Sequence, residues 1–223
     1  MTKVLIIAPH PDDETLGCGG TILRHKKEND KVHFLVFTHV YENMGWGKTF
    51  INKREREINQ IIKKYNFDSY KNFGIPTKEI DKTDLSMLIS KLDDYIKKIK
   101  PEIIYFPYYN DIHTDHQIIS KVTFSCLKSF RNPFIKKALM YEVLSETNFN
   151  HLHNYSFKPN YYIDISKFIK KKLLILNIYK SEFKPHPFPR SKDSVKALSI
   201  IRGSEAGFKF AEAFKLVFFK KWN

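Results

Sequence analysis

The chain gathers its chemistry-bearing side chains in two short stretches, "HPDDE" at residues 10–14 and "HTDH" at residues 113–116. In the first, His10 and Asp13 stand three apart on a connection stiffened by Pro11, so both side chains can converge on one point. Imidazole nitrogen and carboxylate oxygen are ligands suited to a divalent metal such as zinc. Asp12, beside Asp13, faces another way and stays uncoordinated. Neighbouring acids at a strand end repel one another unless a positive charge sits among them. A helix N-terminus also favours acids, and an aspartate can cap it, but neither effect needs the histidine. In the second stretch, His113 and His116 are at i and i+3 and share a face on a helical turn. Either supplies a third ligand and leaves the other for acid–base work. Asp115 between them is placed to hold one imidazole by a hydrogen bond that raises its basicity.

Other residues join the set with less force. Ile51, Ile58 and Ile61 mark the apolar stripe of a charged helix, and Arg54 falls on that stripe. A cation there either reaches an anionic partner in the site or snorkels to solvent. Glu14 either caps the following helix or supports Asp12. "GCGG" at residues 17–20 lacks the G-x-G-x-x-G spacing of a dinucleotide site, so its glycines are read as close helix packing, and Cys18 as a small packing residue. His25, His33, His151, His153 and His186 are read as surface or packing residues, while His39, after a strand, is a candidate for the site's mouth.

The elements that must position these groups follow from hydrophobic patterning. Residues 4–8, 32–37 and 103–106 are short apolar runs of the kind that form buried parallel strands, with further strands expected at 138–144 and 161–165. Helical patterns cover 15–27, 50–65, 85–99, 118–127 and 167–179, and Pro101 closes the third. This alternation predicts a three-layer, Rossmann-like α/β fold with a mostly parallel sheet, as one domain over residues 1–223. Both motifs follow strands, and ligands of such sheets bind beyond the carboxyl ends of the strands. The two stretches are therefore expected at one sheet edge.

Composition narrows the partners. At 42% hydrophobic residues the chain is globular rather than disordered. Two cysteines make no disulfide framework, and neither a leader nor a membrane-spanning apolar stretch is read, so a cytoplasmic location is expected. The net charge of +14 comes mostly from scattered lysines, which mark solvated helix faces. The remaining readings of that charge are an acidic small substrate or peripheral contact with an anionic membrane. The aromatic and lysine-rich tail "FKLVFFKKWN" suits either a membrane surface or a final strand. No basic stripe or RNA-binding signature is present, so nucleic acid is not expected as a partner.

"APHPDDETLGCGGTI" followed by "DIHTDH" resembles the PIG-L/LmbE-like zinc-dependent N-deacetylases. The likeness extends to the R-x-x-E pair Arg54 and Glu57, to Tyr141-Glu142, to "YYIDISKFIKKKLLIL" and to "RGSEAGFKFAEAF". It implies an LmbE-like fold, and a divalent ion, zinc or another, on His10, Asp13 and His116. It implies Asp12 as general base, and a protonated His113 stabilising the oxyanion with Asp115 as its partner. Arg54 matches an arginine in substrate contact, and a tyrosine role falls near Tyr108 or Tyr109. The implied reaction is hydrolysis of the N-acetyl group of an amino sugar or its conjugate, an anionic one included, with release of acetate. Two rivals to this reading are a basic surface-binding module with structural histidines and a metal hydrolase of a different amide.

Overall fold

A computed structural model of the chain describes residues 1–150 and 156–221, so His151 and His153 lie outside the described residues. Alternating side chains along the first strand show how the layers arise. In β1 (Lys3–Ala8), Val4, Ile6 and Ala8 point to one face and Leu5 and Ile7 to the other, all fully buried. The first face meets α1 (Asp13–Lys27), α2 (Lys48–Tyr65), α5 (Ile169–Leu176) and α6 (Lys192–Ala206). The second meets α3 (Leu85–Ile99) and α4 (Thr114–Cys126). Burial on both faces is what the continuous apolar runs require. The three-layer α/β fold is as expected.

The sheet contains β2 (Lys31–His39), β3 (Ser69–Pro76), β4 (Ile103–Pro107), β5 (Lys137–Tyr141), β6 (Tyr161–Asp164) and β7 (Ala211–Phe219), in the order β3-β2-β1-β4-β5-β7-β6. The first five strands in sequence run parallel, and β7 pairs antiparallel with both β5 and β6. Strand order reverses between β1 and β4, which are neighbours, so the crevice of this fold opens where the two motifs leave their strands.

β3, α6 and the start of α4 depart from the sequence expectation. β3 is an edge strand, polar and only partly buried, so it lacks the apolar run that marks its neighbours. α6 has no strong apolar stripe, and only Val195, Ser199 and Gly203 are buried along it. The lysine-rich tail, one of whose two expected readings was a final strand, belongs to β7 as far as Phe219. α4 also starts at Thr114 rather than 118, which puts Asp115 and His116 in its first turn. No helix among the described residues is long and apolar enough to cross a membrane.

α1 lies against the sheet so closely that most of it is buried. A Cβ at Gly17 would stand 2.4 Å from the Tyr141 ring, and one at Gly20 2.5 Å from Ile165. Glycine there lets the helix carry the first motif down onto the sheet edge.

Candidate functional site

The turn from β1 into α1 places the first motif. Asp12 is the N-cap residue with φ of 119°, a conformation that costs a non-glycine residue of order 1–3 kcal/mol and persists only when its surroundings hold it. Its carbonyl accepts from the N–H groups of Thr15 and Leu16, and its own N–H donates to Glu14 Oε2 at 3.0 Å. Glu14 is fully buried and also accepts from Thr15 Oγ1 and the Tyr179 hydroxyl. Of its two expected roles, then, Glu14 takes the support of Asp12. Burial pushes its carboxyl up to about 7.

His10, Asp13 and His116 converge. Asp13 Oδ2 is 3.4 Å from His10 Nδ1 and 3.3 Å from His116 Nε2, and it accepts from the His10 backbone N–H at 2.8 Å. One ligand atom from each of the three lies within 4.8 Å of the others. His116 Nδ1 is hydrogen-bonded to Asp111 Oδ2 at 2.8 Å, and the Thr147 hydroxyl donates to the other Asp111 oxygen at 2.6 Å. That bond leaves His116 Nε2 buried with no hydrogen-bond partner among the described residues. An orphaned imidazole nitrogen beside a carboxylate is the arrangement a divalent cation satisfies. The trio fits a metal. Burial opposes charge here, yet Asp13 and Asp111 hold the His116 imidazole well above its ordinary range. Asp13, despite burial, is held well below the usual carboxylate range by His116 and His10. The site attracts a cation, and a proton competes for the same place.

Asp12 stands apart from the trio. Its Oδ2 accepts from Arg190 Nη1 at 3.0 Å, and Arg190 also lies 3.5 Å from Glu182. Burial and the neighbouring Asp13 push the Asp12 carboxyl up to about 8, against the pull of Arg190. A divalent cation in the trio favours its ionised form. Arg54 pairs with Glu182 and donates to the Pro11 carbonyl at 3.3 Å, so it faces the site rather than snorkelling. Arg190 and Glu182 were not anticipated. They come from the loop between α5 and α6, and no pattern marks them in the sequence. Asp111 was missed as well, although it lies only five residues before His116 and its signal was therefore available.

The second motif differs from expectation at Asp115 and His113. Asp115 Oδ2 is hydrogen-bonded to His10 Nε2 at 2.9 Å and accepts from the Lys78 backbone N–H at 3.0 Å. Its carboxylate therefore serves His10, not His113. His113 caps α4, and its Nδ1 accepts from the Asp115 backbone N–H at 3.1 Å. An accepting Nδ1 carries no proton, so the ring is neutral with its proton on Nε2. Burial and the neighbouring His10 and His116 push its pKa down to about 4. This cap geometry favours a neutral His113 over the protonated ring expected, because a cationic ring would set two N–H donors against each other.

These groups line one cleft of about 270 Å³. Trp46 and Phe50 form part of its wall, their rings stacked with centroids 4.8 Å apart, and Lys78 and Glu146 face it from other connections. Neither Tyr108 nor Tyr109 is among the lining residues. Tyr108 is buried against Phe157, and Tyr109 is exposed.

Comparison with known proteins follows the same lines. Residues 5–127 match the model of the PIG-L family, described as GlcNAc-PI de-N-acetylase. The chain is 23% identical over 227 residues to diacetylchitobiose deacetylase of Thermococcus kodakarensis, covering 96% of this chain and 83% of that one. It is 26% identical over 133 residues to a probable N-acetyl-α-D-glucosaminyl L-malate deacetylase 2 of Bacillus subtilis, covering 56% and 60% of the two chains. Among solved structures, the conserved protein TT1542 from Thermus thermophilus superposes with a TM-score of 0.78 at 26% identity, over 100% of this chain and 99% of the other.

Proposed function

This chain belongs to the PIG-L family, and on that premise we propose that it is a metal-dependent hydrolase that removes the N-acetyl group of an amino sugar or glycoconjugate and releases acetate. The observation that carries the reading is the partnerless, buried His116 Nε2, set against Asp13 and held in its tautomer by Asp111. His10, Asp13 and His116 would hold the ion, and an imidazole–carboxylate set of three with an open side suits zinc. When bound, the ion acidifies water and polarises a carbonyl.

The remaining steps belong to the chain's own residues. Asp12, uncoordinated and anchored by Arg190, takes the proton of the water that attacks the acetamide carbon. As the C–N bond breaks, the same carboxyl passes that proton to the departing amine. His113, neutral, offers its Nε2–H to the carbonyl oxygen as negative charge develops there. Asp115 holds the His10 ring in register, and Glu14 holds the strained Asp12 backbone. Arg54 faces the substrate from the cleft wall. The stacked Trp46 and Phe50 offer a flat apolar surface of the kind a pyranose ring covers.

Acetate release from N-acetylglucosamine and its conjugates, followed with and without a chelator, tests this reading. Turnover should vanish on metal removal and return with zinc at about one ion per chain. A purified chain that binds no metal, or one whose turnover survives chelation, overturns it.

A further inference from the structure

The metal cleft has neighbours beyond Arg54. A small void of about 20 Å³ beside it shares His10, Val40, Arg54 and Thr77 with the cleft. It shares His39, Glu55 and Ile58 with a second, more open recess of about 400 Å³. This recess lies between the next turns of α2, carrying Glu55 and Asn59, and the strands that carry His39, Tyr70 and Asn72. Tyr41 closes its rim. None of these residues has a part in the reaction described above, and His39 is the one histidine that the sequence marked for the site's mouth.

The recess is framed rather than loose. The Tyr41 hydroxyl donates to the Gly74 carbonyl at 2.8 Å, and the His39 and Tyr41 rings meet edge to face at 4.7 Å. Asn72 donates to the Thr38 carbonyl at 3.1 Å and accepts from the Gly74 N–H at 2.7 Å. Glu55 and Asn59 stand exposed on α2, where their carboxylate and amide can meet hydroxyl groups. The lining also has an unexpected charge. Glu55 is its one charged side chain among the described residues, and it includes no lysine or arginine, in a chain of net charge +14. Arg54, between the cleft and the recess, is already paired with Glu182.

We propose that this recess is a second carbohydrate subsite, which takes an uncharged glycosyl unit linked to the acetamido sugar held in the metal cleft. The assignment rests on the deacetylase reading and specifies its substrate as a neutral oligosaccharide or glycoside. Aromatic rings and a carboxylate–amide pair suit the hydroxyls and C–H faces of a sugar. A malate or phosphate group finds no cation here and meets Glu55 instead.

The test measures binding by calorimetry to zinc-loaded Asp12→Asn protein, using N-acetylglucosamine, N,N'-diacetylchitobiose and N-acetylglucosaminyl malate. The disaccharide should bind about tenfold more tightly than the monosaccharide, the scale of one desolvated hydrogen bond with its ring contact, and the malate conjugate should show no such gain. Asn59→Trp, which fills the recess from an exposed helix position, should bring the disaccharide's advantage close to one. Glu55→Lys, on the same exposed face, should shift preference toward the malate conjugate. A disaccharide that binds no better than the monosaccharide overturns the subsite, as does an advantage that survives Asn59→Trp or a malate conjugate that wins in the parent protein. Acetate release by the unsubstituted enzyme is read separately: its absence with all three compounds refutes the deacetylase reading, whatever the binding ratios show.

Discussion

Replacing Asp111 tests whether His10, Asp13 and His116 hold a metal as proposed. Asp111 is fully buried, and each of its oxygens is committed, one to His116 Nδ1 at 2.8 Å and one to the Thr147 hydroxyl at 2.6 Å. In Asp111→Asn the amide oxygen can still accept from the imidazole, so the tautomer that aims Nε2 at Asp13 survives. What is lost is the negative charge that makes the ring a stronger donor toward a cation. Such partners are worth about 10–100-fold in metal affinity, or about 1.4–2.7 kcal/mol. Asp111→Ala should lose more, because it also leaves a buried N–H unpaired at about 1–3 kcal/mol. Competition against a chelator of known affinity, at fixed pH, measures both variants. The order expected is parent, then Asn, then Ala. Equal zinc affinity in parent and Asp111→Asn would refute the claim that this carboxylate tunes His116, and would move the metal elsewhere.

Three further predictions follow from the same contacts. Asp12→Asn should retain the metal and lose about 10²–10⁴-fold in kcat, because an amide cannot carry the proton, whereas Asp13→Asn should weaken metal binding itself; identical metal loss in both would undo this division of roles. His113 is neutral above a pKa of about 4, so it keeps the same form across pH 5–9, and His113→Ala should lower the rate about 10²–10³-fold without moving any alkaline limb; a limb that disappears with the imidazole would show that the ring works as a cation after all. Lys172 is buried, donating to Glu212 at 2.7 Å and to the Leu16 carbonyl at 2.8 Å, and Glu212 in turn accepts from the N–H groups of Gly20 and Thr21. Lys172→Ala leaves that carboxylate, on β7, buried against α1 without its cation and should cost about 3–5 kcal/mol in denaturant unfolding, so a loss below about 1 kcal/mol would mean that water reaches the pair.

Much of this protein was written in short-range pattern. Apolar runs marked β1, β2 and β4 because strands buried on both faces are mostly apolar, and the helical stripes between them specified the three layers. His10, Asp13, His113 and His116 were legible as candidates because a possible ligand pair three residues apart on one turn is a local property, set by covalent spacing alone. The edge strand β3 escaped notice because one of its edges has no neighbouring strand, and α6 because a mostly exposed helix needs little apolar stripe. Tertiary structure alone decided how the site is wired. Arg190 reaches Asp12 across 178 residues, and Glu182 reaches Arg54 across 128. Such pairs have no period and no spacing rule, since the chain between them is free to vary. Asp115 could have turned to either imidazole, and the fold turned its carboxylate to His10 while spending its N–H on His113. The motif residues of the candidate site were therefore visible in the sequence, but their partners were set only when packing fixed which groups share a buried space.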